Sequence, residues 1–410
     1  MKKFNLFVWV ILLFGSVVFS TASAFNSLYV FGDGVCTTTN NGYPIPAKAY
    51  YGKRYTNGRT WVEVLAQRQG IGISNNWSYF GQDSASLAAN VSHFTAPADV
   101  ANDLFVIWAN DADLVGFMNN NLLNSFLSTT LPQWTNSINL ALANQYKAVT
   151  NLYAKGARTL IMPNAVDISE IPQYNHLILT SKSFVRTRVN YFNANLIATV
   201  NHAKSTCPGL TIYVPDIFSL LDNVLTNAAS YGLTNTLDFF GQPVDAYTYY
   251  TPLIGQTTAT TNGSGTNFIF WDSTDPTAQM HEVLADYVQQ IISPVQIGGL
   301  TQINGSNRID VVNMPVGLNG FLDNSTNLAG ANWTLATSFN SAATAQSIYV
   351  VTPPLPANFG AGGSGGSGGL SGPPTPGSGS GTTTITDTNS YVNSAAQFYR
   401  LRFPYAWNWP

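Results

Sequence analysis

Apolar and polar residues alternate in a regular way over the first three quarters of the chain. Compact apolar runs typical of buried strands occur at Ser27–Phe31 and Leu104–Trp108, and later at Thr159–Met162 and Leu210–Val214. Between them, apolar residues recur at helical spacing. This alternation predicts a parallel sheet covered on both faces by helices. Ligands of such sheets bind at the carboxyl ends of the strands, so the loops there are where functional residues are expected.

Two helices are predicted most clearly. The first carries Ile138, Leu142, Tyr146, Val149 and Tyr153 on one face, and Gly156 follows it as a C-cap. The second carries a similar apolar face, made of Val185, Val189, Phe192, Leu196 and Val200. Each helix precedes one of the later strand-like runs, which is the order of a repeated strand–helix unit.

The helical spacing stops after Pro294. From there the chain offers short β-type runs separated by turn residues, at Ile309–Val312, Trp333–Ala336, Ser347–Val351, Thr383–Thr386 and Phe398–Phe403. They predict a small antiparallel β-module over residues 298–410, after a main domain over residues 25–297. Residues 360–381 are nearly all Gly, Ser and Pro, which is typical of a flexible loop.

The first 24 residues have the pattern of a secretory signal. Lys2 and Lys3 precede an apolar run from Phe4 to Phe19, and the small residues Ala22-Ser23-Ala24 follow. We therefore expect a signal peptide over residues 1–24, a mature start near Phe25, and a secreted or envelope (periplasmic) location of bacterial type. The alternative is a membrane anchor, for which the run is short and interrupted by polar residues. No later segment is long and apolar enough to cross a bilayer.

Composition narrows the choice of partners. Of the 410 residues 45% are hydrophobic and 13% aromatic, which is ample for a packed core. Only 9% are charged and the net charge is −3, so no phosphate-binding surface for nucleic acid is expected. The chain has 2 cysteines, too few for a disulfide framework or a four-thiolate zinc site.

Several blocks, taken in order, carry a family resemblance. They are Phe31-Gly32-Asp33-Gly34, Phe80-Gly81-Gln82, Trp108-Ala109-Asn110-Asp111 and Phe270-Trp271-Asp272-Ser273-Thr274-Asp275. The segment from Tyr55 to Trp61 and the stretch Met162-Pro163-Asn164 agree with them. In this order the blocks resemble the GDSL family of SGNH hydrolases, over about residues 27–287. The resemblance implies a flavodoxin-like three-layer α/β/α domain whose members usually cleave carboxylic esters of lipids or acetylated glycans.

The same resemblance assigns roles to individual positions. The family's nucleophilic Ser stands directly after the Asp of the first block, and its His stands three residues after the Asp of the last block. Here these positions hold Gly34 and Asp275, while the orienting carboxylate remains as Asp272. The resemblance places the oxyanion donors at the backbone amides of Gly34 and Gly81 and at the side chain of Asn110. Trp108 is a further departure, since the family usually has Gly there.

Acyl transfer by this route needs a nucleophile and a base to take its proton. Gly34 has no side chain, and an Asp of ordinary pKa is a weak base at neutral pH. The Ser–His route is therefore closed to this sequence. Cys36 is the alternative nucleophile, and a pair of carboxyl groups, Asp272 and Asp275, is the alternative acid–base site.

Other titratable residues are assigned more modest parts. Asp33, Asp111, Asp272 and Asp275 map to one sheet edge with Asp113 nearby, so they either shape turns or hold a hard cation. We expect His281 on a helix surface without a catalytic part. A Cys36–Cys207 disulfide is not expected, because the two residues stand at opposite ends of their strands.

Two functions from different classes stay open. The first is a binding protein on a hydrolase scaffold, which holds an acylated glycan, a polysaccharide or a lipid, with no cofactor, and attaches to a cell surface through the β-module. The second is an active ester hydrolase with a rearranged site. The residues at positions 34 and 275 favour the first.

Overall fold

The computed structural model describes residues 25–38, 50–120, 130–233, 265–303, 306–325, 332–351, 385–386 and 398–404. The predicted signal peptide over residues 1–24 and the predicted loop over residues 360–381 lie outside these ranges. In the described part of the chain, no helix combines the length and the apolar character needed to cross a bilayer.

The main domain is built on a parallel sheet. Its strands are β1 (Ser27–Gly32), β2 (Gly72–Asn76), β3 (Leu104–Trp108), β4 (Thr159–Ile161) and β5 (Thr211–Tyr213). They lie in the order β2-β1-β3-β4-β5, which is the flavodoxin-like order. The predicted fold is therefore confirmed. The strand order reverses between β1 and β3, so the connections that follow these two strands leave toward opposite faces of the sheet. A crevice therefore lies at the carboxyl ends of β1 and β3.

Helices cover the sheet. They are α1 (Trp61–Arg68), α2 (Ser84–His93), α3 (Asn110–Asn120), α4 (Leu131–Ala154), α5 (Leu179–Thr206), α6 (Ile217–Asn227) and α7 (Ala278–Ile292). Helix α1 packs against α7, and α4 packs against α2, α3 and α5. All five residues of β3 are buried, as expected of a central strand covered on both faces.

The two predicted helix faces are confirmed. The five predicted residues of α5 are all buried, from Val185 to Val200. In α4, Ile138, Leu142 and Val149 are buried, while the two tyrosines of that face lie half-buried at its edge. Gly156 has a φ of 104° directly after the C-cap of α4, which is the backbone conformation that favours glycine.

The predicted surface position of His281 is wrong. This residue lies on α7 and is only 1% exposed, because α7 packs against α1 along this face. Its Nδ1 atom accepts a hydrogen bond of 3.2 Å from the backbone amide of Trp61, in the first turn of α1. His281 therefore satisfies one of the free amides at the start of a neighbouring helix.

The C-terminal module consists of antiparallel strands: β6 (Gln296–Ile303), β7 (Ser306–Val312), β8 (Asn319–Ser325), β9 (Thr334–Asn340), β10 (Ala345–Val351), β11 (Ile385–Thr386) and β12 (Phe398–Arg402). They form two sheets, ordered β10-β7-β6 and β11-β12-β8-β9. A core of its own includes Ile309, Leu322 and Tyr399. The module contacts the main domain at Arg68 of α1, whose backbone carbonyl accepts from the Val316 amide at 3.1 Å.

Candidate functional site

The loop after β1 forms one wall of the site. The Asp33 amide donates to the Trp108 carbonyl at 3.0 Å, so this loop stays attached to the end of β3. A short 3₁₀ turn follows over Gly34–Cys36. The carbonyl of Gly34 accepts from the amide of Thr37 at 3.1 Å and from its hydroxyl at 2.9 Å. These bonds fix the backbone at the position where the family has its nucleophile.

The opposite wall is the loop before α7. The Trp271 amide donates to the Asp275 carbonyl at 2.8 Å, which closes a tight turn. Oδ1 of Asp272 accepts from the amides of Thr274 at 2.8 Å and Asp275 at 2.7 Å. Its Oδ2 accepts from the Tyr50 hydroxyl at 2.7 Å. Asp272 is thus committed to holding its own loop.

The structure brings Gly34 and Asp275 face to face. A Cβ atom built on Gly34 would lie 3.2 Å from Oδ1 of Asp275 and 3.0 Å from Cδ2 of Phe80. Position 34 is therefore next to position 275, which is the adjacency that a nucleophile and its base need. The ring of Phe80 is 46% exposed, so it has solvent on one side and can give way.

A cavity of about 240 Å³ opens between these walls. Both loops line it, together with the ends of β3 and α3 and with α6 and α7. Its floor is apolar and includes Val115, Val166, Ile168, Ile217, Leu221 and Leu284. For comparison, an engineered apolar cavity of about 150 Å³ already takes up benzene. The space is therefore large enough for part of an apolar ligand.

Three carboxyl groups line this apolar cavity: Asp33, Asp111 and Asp275. Burial raises the pKa of Asp33 to about 7, against the hydrogen bonds from the amides of Val35 and Ala112. Burial, followed by repulsion from neighbouring carboxylates, also holds the pKa of Asp111 and of Asp275 well above the usual range. A larger share of each group is therefore protonated at neutral pH than for an ordinary Asp, while the ionised form of each is a stronger base than an ordinary carboxylate.

Asp275 and Asp272 are also linked through a hydroxyl group. Oγ1 of Thr274 lies 2.9 Å from Oδ2 of Asp275 and 3.2 Å from Oδ1 of Asp272. Asp272 contributes to the raised pKa of Asp275 both by its charge and by a hydrogen bond between the two side chains. This contact brings together the two carboxyl groups of the predicted acid–base site, and their role stays a prediction. Among the described residues, no group of three or more His, Cys, Asp or Glu is placed to hold a metal ion.

The expected oxyanion donors lie at different distances from the cavity. Gly34 and Gly81 line it, and Gly81 has a φ of 74° with open space where a Cβ would be. Asn110 is buried, and its amide is engaged by protein groups: Nδ2 donates to the Pro163 carbonyl at 2.6 Å, and Oδ1 accepts from Gln145 at 2.6 Å. The donor role of Asn110 stays a prediction, with part of its amide already in use.

Cys36 does not have the surroundings of a nucleophile. It is fully buried, and its Sγ would lie 2.8 Å from a Cβ built on Gly32, so it packs against the end of β1. Burial, followed by the charge of Asp33, raises the pKa of the Cys36 thiol well above its usual range. An attacking thiol needs the opposite shift. Cys36 and Cys207 are both free, as expected.

Three contributors to the site were missed at the level of the sequence: Tyr50, Thr274 and Phe80. Tyr50 reaches Asp272 across 222 positions of the chain, and no local pattern indicates such a contact. Thr274 lies inside the last block and could have been considered as a link between the two aspartates. Phe80 belongs to the second block, and its position over Gly34 follows only from the meeting of the two loops.

Comparison with known proteins places this site in a family. The sequence profile of the GDSL-like lipase/acylhydrolase family matches residues 28–288, and the chain belongs to this family. Among curated relatives in Arabidopsis thaliana, GDSL esterase/lipase At1g73610 is 20% identical over 322 residues, covering 65% of this chain and 89% of that protein. GDSL esterase/lipase 7 is 21% identical, covering 63% of this chain and 86% of that protein.

Solved structures give more distant matches. The acetylxylan esterase Axe2 from Geobacillus stearothermophilus is 13% identical, with a TM-score of 0.37, and the match covers 66% of this chain and 96% of that one. The α/β hydrolase LAE5 from a lake metagenome is 12% identical, with a TM-score of 0.35, covering 66% and 97% of the two chains.

Proposed function

We propose that this GDSL-family protein has lost the covalent serine route and binds an acylated ligand, a lipid or an acylated glycan, in the cavity beside Gly34. The observation that carries the proposal is the meeting of Gly34, which has no side chain, with the buried carboxyl group of Asp275. The position that attacks in the family has nothing to attack with, and the neighbouring position holds a carboxyl group in place of the imidazole.

The size of the expected effect supports a binding role. In a serine protease, loss of the nucleophile or of its base alone costs on the order of a million-fold in rate, and the remainder comes from the oxyanion hole and binding. Both positions differ here. Asp272 cannot compensate, because its oxygens are held by its own loop and by Tyr50.

The apolar floor of the cavity supports an acyl chain as the bound part. An acyl group gains roughly 0.8 kcal/mol for each methylene it buries, which is about fourfold in affinity. A bare polysaccharide would leave this floor uncovered. Among the ligands expected from the sequence, the acylated ones therefore fit best.

A carboxylate-based hydrolase remains the alternative. It is favoured by the shared hydroxyl contact of Asp272 and Asp275 through Thr274. The two alternatives differ in a simple assay. The alternative expects turnover of p-nitrophenyl butyrate by the unmodified protein and its loss in the Asp275→Ala variant, while our proposal expects no turnover above background in either. The Cys36→Ala variant tests the buried thiol in the same assay, and its turnover should equal that of the unmodified protein.

The decisive experiment restores the missing groups. Gly34→Ser together with Asp275→His should give turnover of p-nitrophenyl butyrate and labelling by a fluorophosphonate probe. We expect a rate on the order of a hundredfold above that of the matched Gly34→Ala/Asp275→His control, which has the base but no hydroxyl. Labelling of the unmodified protein at any residue of the cavity would contradict the proposal.

Two further substitutions address contacts that would oppose the restored pair. Phe80→Leu shortens the ring that lies 3.0 Å from a Cβ at position 34. Tyr50→Phe removes the hydroxyl that occupies Oδ2 of Asp272, which the new His needs for its own orientation. Each should raise the activity of the restored protein further. If the fully substituted protein folds but neither turns over nor reacts, the surroundings lack more than the two groups.

Binding is tested on the unmodified protein. Methyl esters of octanoic and decanoic acid should bind with affinities that differ by about fifteenfold, since two methylenes separate them. Titration calorimetry at concentrations below micelle formation measures this directly. Xylo-oligosaccharides without acyl groups are the comparison. Equal affinity for all ligands, or none for the esters, would contradict an acyl-binding cavity.

We also propose export and surface attachment. Export is supported by the charged, apolar and small-residue order of residues 1–24, and attachment by the separate β-module with its own core. Fractionation of the producing cells, with N-terminal sequencing of the exported protein, tests the first; a start near Phe25 is expected. Deletion of residues 298–410 should release the protein from the cell surface if the second is right.

A further inference from the structure

The buried carboxyl groups of the cavity have no basic partner in the described part of the chain. No Lys, Arg or His stands among the residues described as lining the cavity, although three aspartates do. Only 4% of Asp33 is exposed, and its Oδ1 has no hydrogen-bond partner among the described residues. A buried carboxylate is normally paired with a cation, and one without a cation holds its proton more tightly instead. A cation that binds from outside would supply the missing partner.

The surroundings of Asp33 add negative charge from several elements. From α3 come Asp111 and Asp113, and from the loop before α7 comes Asp275. The thiol of Cys36 in the adjoining 3₁₀ turn adds no charge, because burial raises its pKa well above the usual range. Behind Asp275 stands Asp272 with Tyr50. These groups repel one another when ionised, and a cation among them would relieve that repulsion.

The rest of the cavity specifies what kind of cation fits. Its floor is aliphatic, and rings of Phe80, Trp108 and Phe270 also line it. Aromatic faces attract cations at short range. A metal ion does not match an aliphatic surface, and the described residues offer no metal-binding group of three. An ammonium group on a hydrocarbon chain satisfies both the acidic and the apolar parts.

We propose that the cavity binds an aliphatic amine, with its ammonium group at Asp33 and Asp275 and its hydrocarbon chain along the apolar floor. This rests on the proposed function, because the hydrocarbon chain would lie in the same apolar cavity that the acyl chain uses, and it adds a second class of ligand with a cationic head group. The aspartate at position 275, where the family has a histidine, then serves to attract a positive charge rather than to take a proton.

A matched set of ten-carbon ligands tests this on the full protein. Decylamine, decan-1-ol, decanoate and methyl decanoate share the chain and differ in the head. At pH 7.5 we expect decylamine to bind at least tenfold more tightly than decan-1-ol, measured by titration calorimetry. Decylamine should lose this advantage at pH 5, which lies below the pKa of about 7 of Asp33, while the affinity for decan-1-ol stays the same.

Two neutral variants locate the head group. Asp33→Asn and Asp275→Asn should each lower the affinity for decylamine at least fivefold and leave that for decan-1-ol unchanged. The matched control is Asp99→Asn, which removes the same charge at an exposed position before β3. Each variant is made and measured separately, so if one fails to fold, the other still tests the proposal. Calorimetry in two buffers of different ionisation enthalpy should also show proton release when the amine binds, and none for the alcohol.

The outcomes separate this inference from the proposed function. If decan-1-ol and methyl decanoate bind but decylamine has no advantage, or if both aspartate variants keep the amine-to-alcohol ratio, the amine proposal is wrong and the acyl-binding cavity stands. If no ten-carbon ligand binds at all, both are wrong. Tighter binding of decanoate than of decylamine at pH 7.5 would also overturn the amine proposal.

Discussion

Two regions of this molecule bury an aspartate in opposite ways. In the β-module, the side chain of Asp323 is 3% exposed and accepts from Arg400 at 2.9 Å and from Arg402 at 2.6 Å. Burial raises its pKa, but the hydrogen bonds from the two guanidinium groups outweigh burial and hold the pKa below its usual value. In the cavity, Asp33 is as deeply buried and has no such partner.

The difference shows what each site is for. A structural carboxylate such as Asp323 comes with its cations, which in turn stack on Trp333 and Phe321 of the same module. A carboxyl group that is buried without a cation weakens the fold, and such groups persist where a ligand uses them. The Arg68–Asp286 pair between α1 and α7, at 2.7 Å, follows the structural pattern.

His281 affects the stability of the fold over a pH range that overlaps with the range in which the aspartates titrate. Its contribution to the pH dependence therefore has to be measured separately. Burial lowers the pKa of His281 to about 3, so the unfolded chain binds more protons than the folded one between about pH 6.5 and pH 3. Stability should therefore fall as the pH falls through this window, by about 3 kcal/mol between pH 7 and pH 4. His281→Gln should reduce that fall in urea unfolding. An unchanged acid dependence would contradict the burial of a neutral imidazole.

The largest contrast between the two regions concerns Asp33. Its folded pKa of about 7 lies above the ordinary value, so the folded state holds the proton that the unfolded state releases. Stability should fall as the pH rises from about 4 to 7. Asp33→Asn should remove about 2 to 3 kcal/mol of this fall, so that the variant gains on the unmodified protein as the pH rises. Urea unfolding at pH 5 and pH 8 measures this, with Asp99→Asn as the control.

Asp323 should behave with the opposite sign. Its stabilising contribution is present above the unfolded pKa and is lost as the pH falls through the lower, folded pKa. Asp323→Asn should cost about 2 kcal/mol at pH 7, because it leaves two guanidinium groups without their acceptor. The cost should shrink below pH 4. If Asp33→Asn and Asp323→Asn respond to pH with the same sign, the distinction between paired and unpaired sites fails.

The smallest expected effect tests the tightness of the nucleophile position. Gly34→Ala places a Cβ 3.0 Å from the Phe80 ring, closer than most real contacts, and should destabilise the protein by about 1 kcal/mol. The exposed ring can move, so the cost stays small. In a Phe80→Leu background the cost should largely disappear in thermal unfolding. A cost that persists there would place the strain in the backbone of the turn instead.

Much of the fold followed from local pattern. The apolar run of β3 and the apolar face of α5 predicted their elements well, because a buried strand and a half-buried helix each impose their own periodicity. The strands β6 and β8 of the module were missed, since their apolar residues do not form compact runs. The family blocks also indicated Gly34 and Asp275 as neighbours. His281 was misjudged, because the face on which a helix residue lies depends on which element packs against it.

By itself, the sequence determined the family, the α/β domain followed by a β-module, and the replacement of two reactive residue types at positions 34 and 275. Only the tertiary structure decided that the Tyr50 hydroxyl donates to Asp272, that Phe80 lies against Gly34, and that no basic residue stands beside the buried Asp33 among the described residues that line the cavity. The physical reason is that a carboxyl group takes its properties from its surroundings. Those surroundings are assembled from loops far apart in the chain, and no local pattern of residues records them.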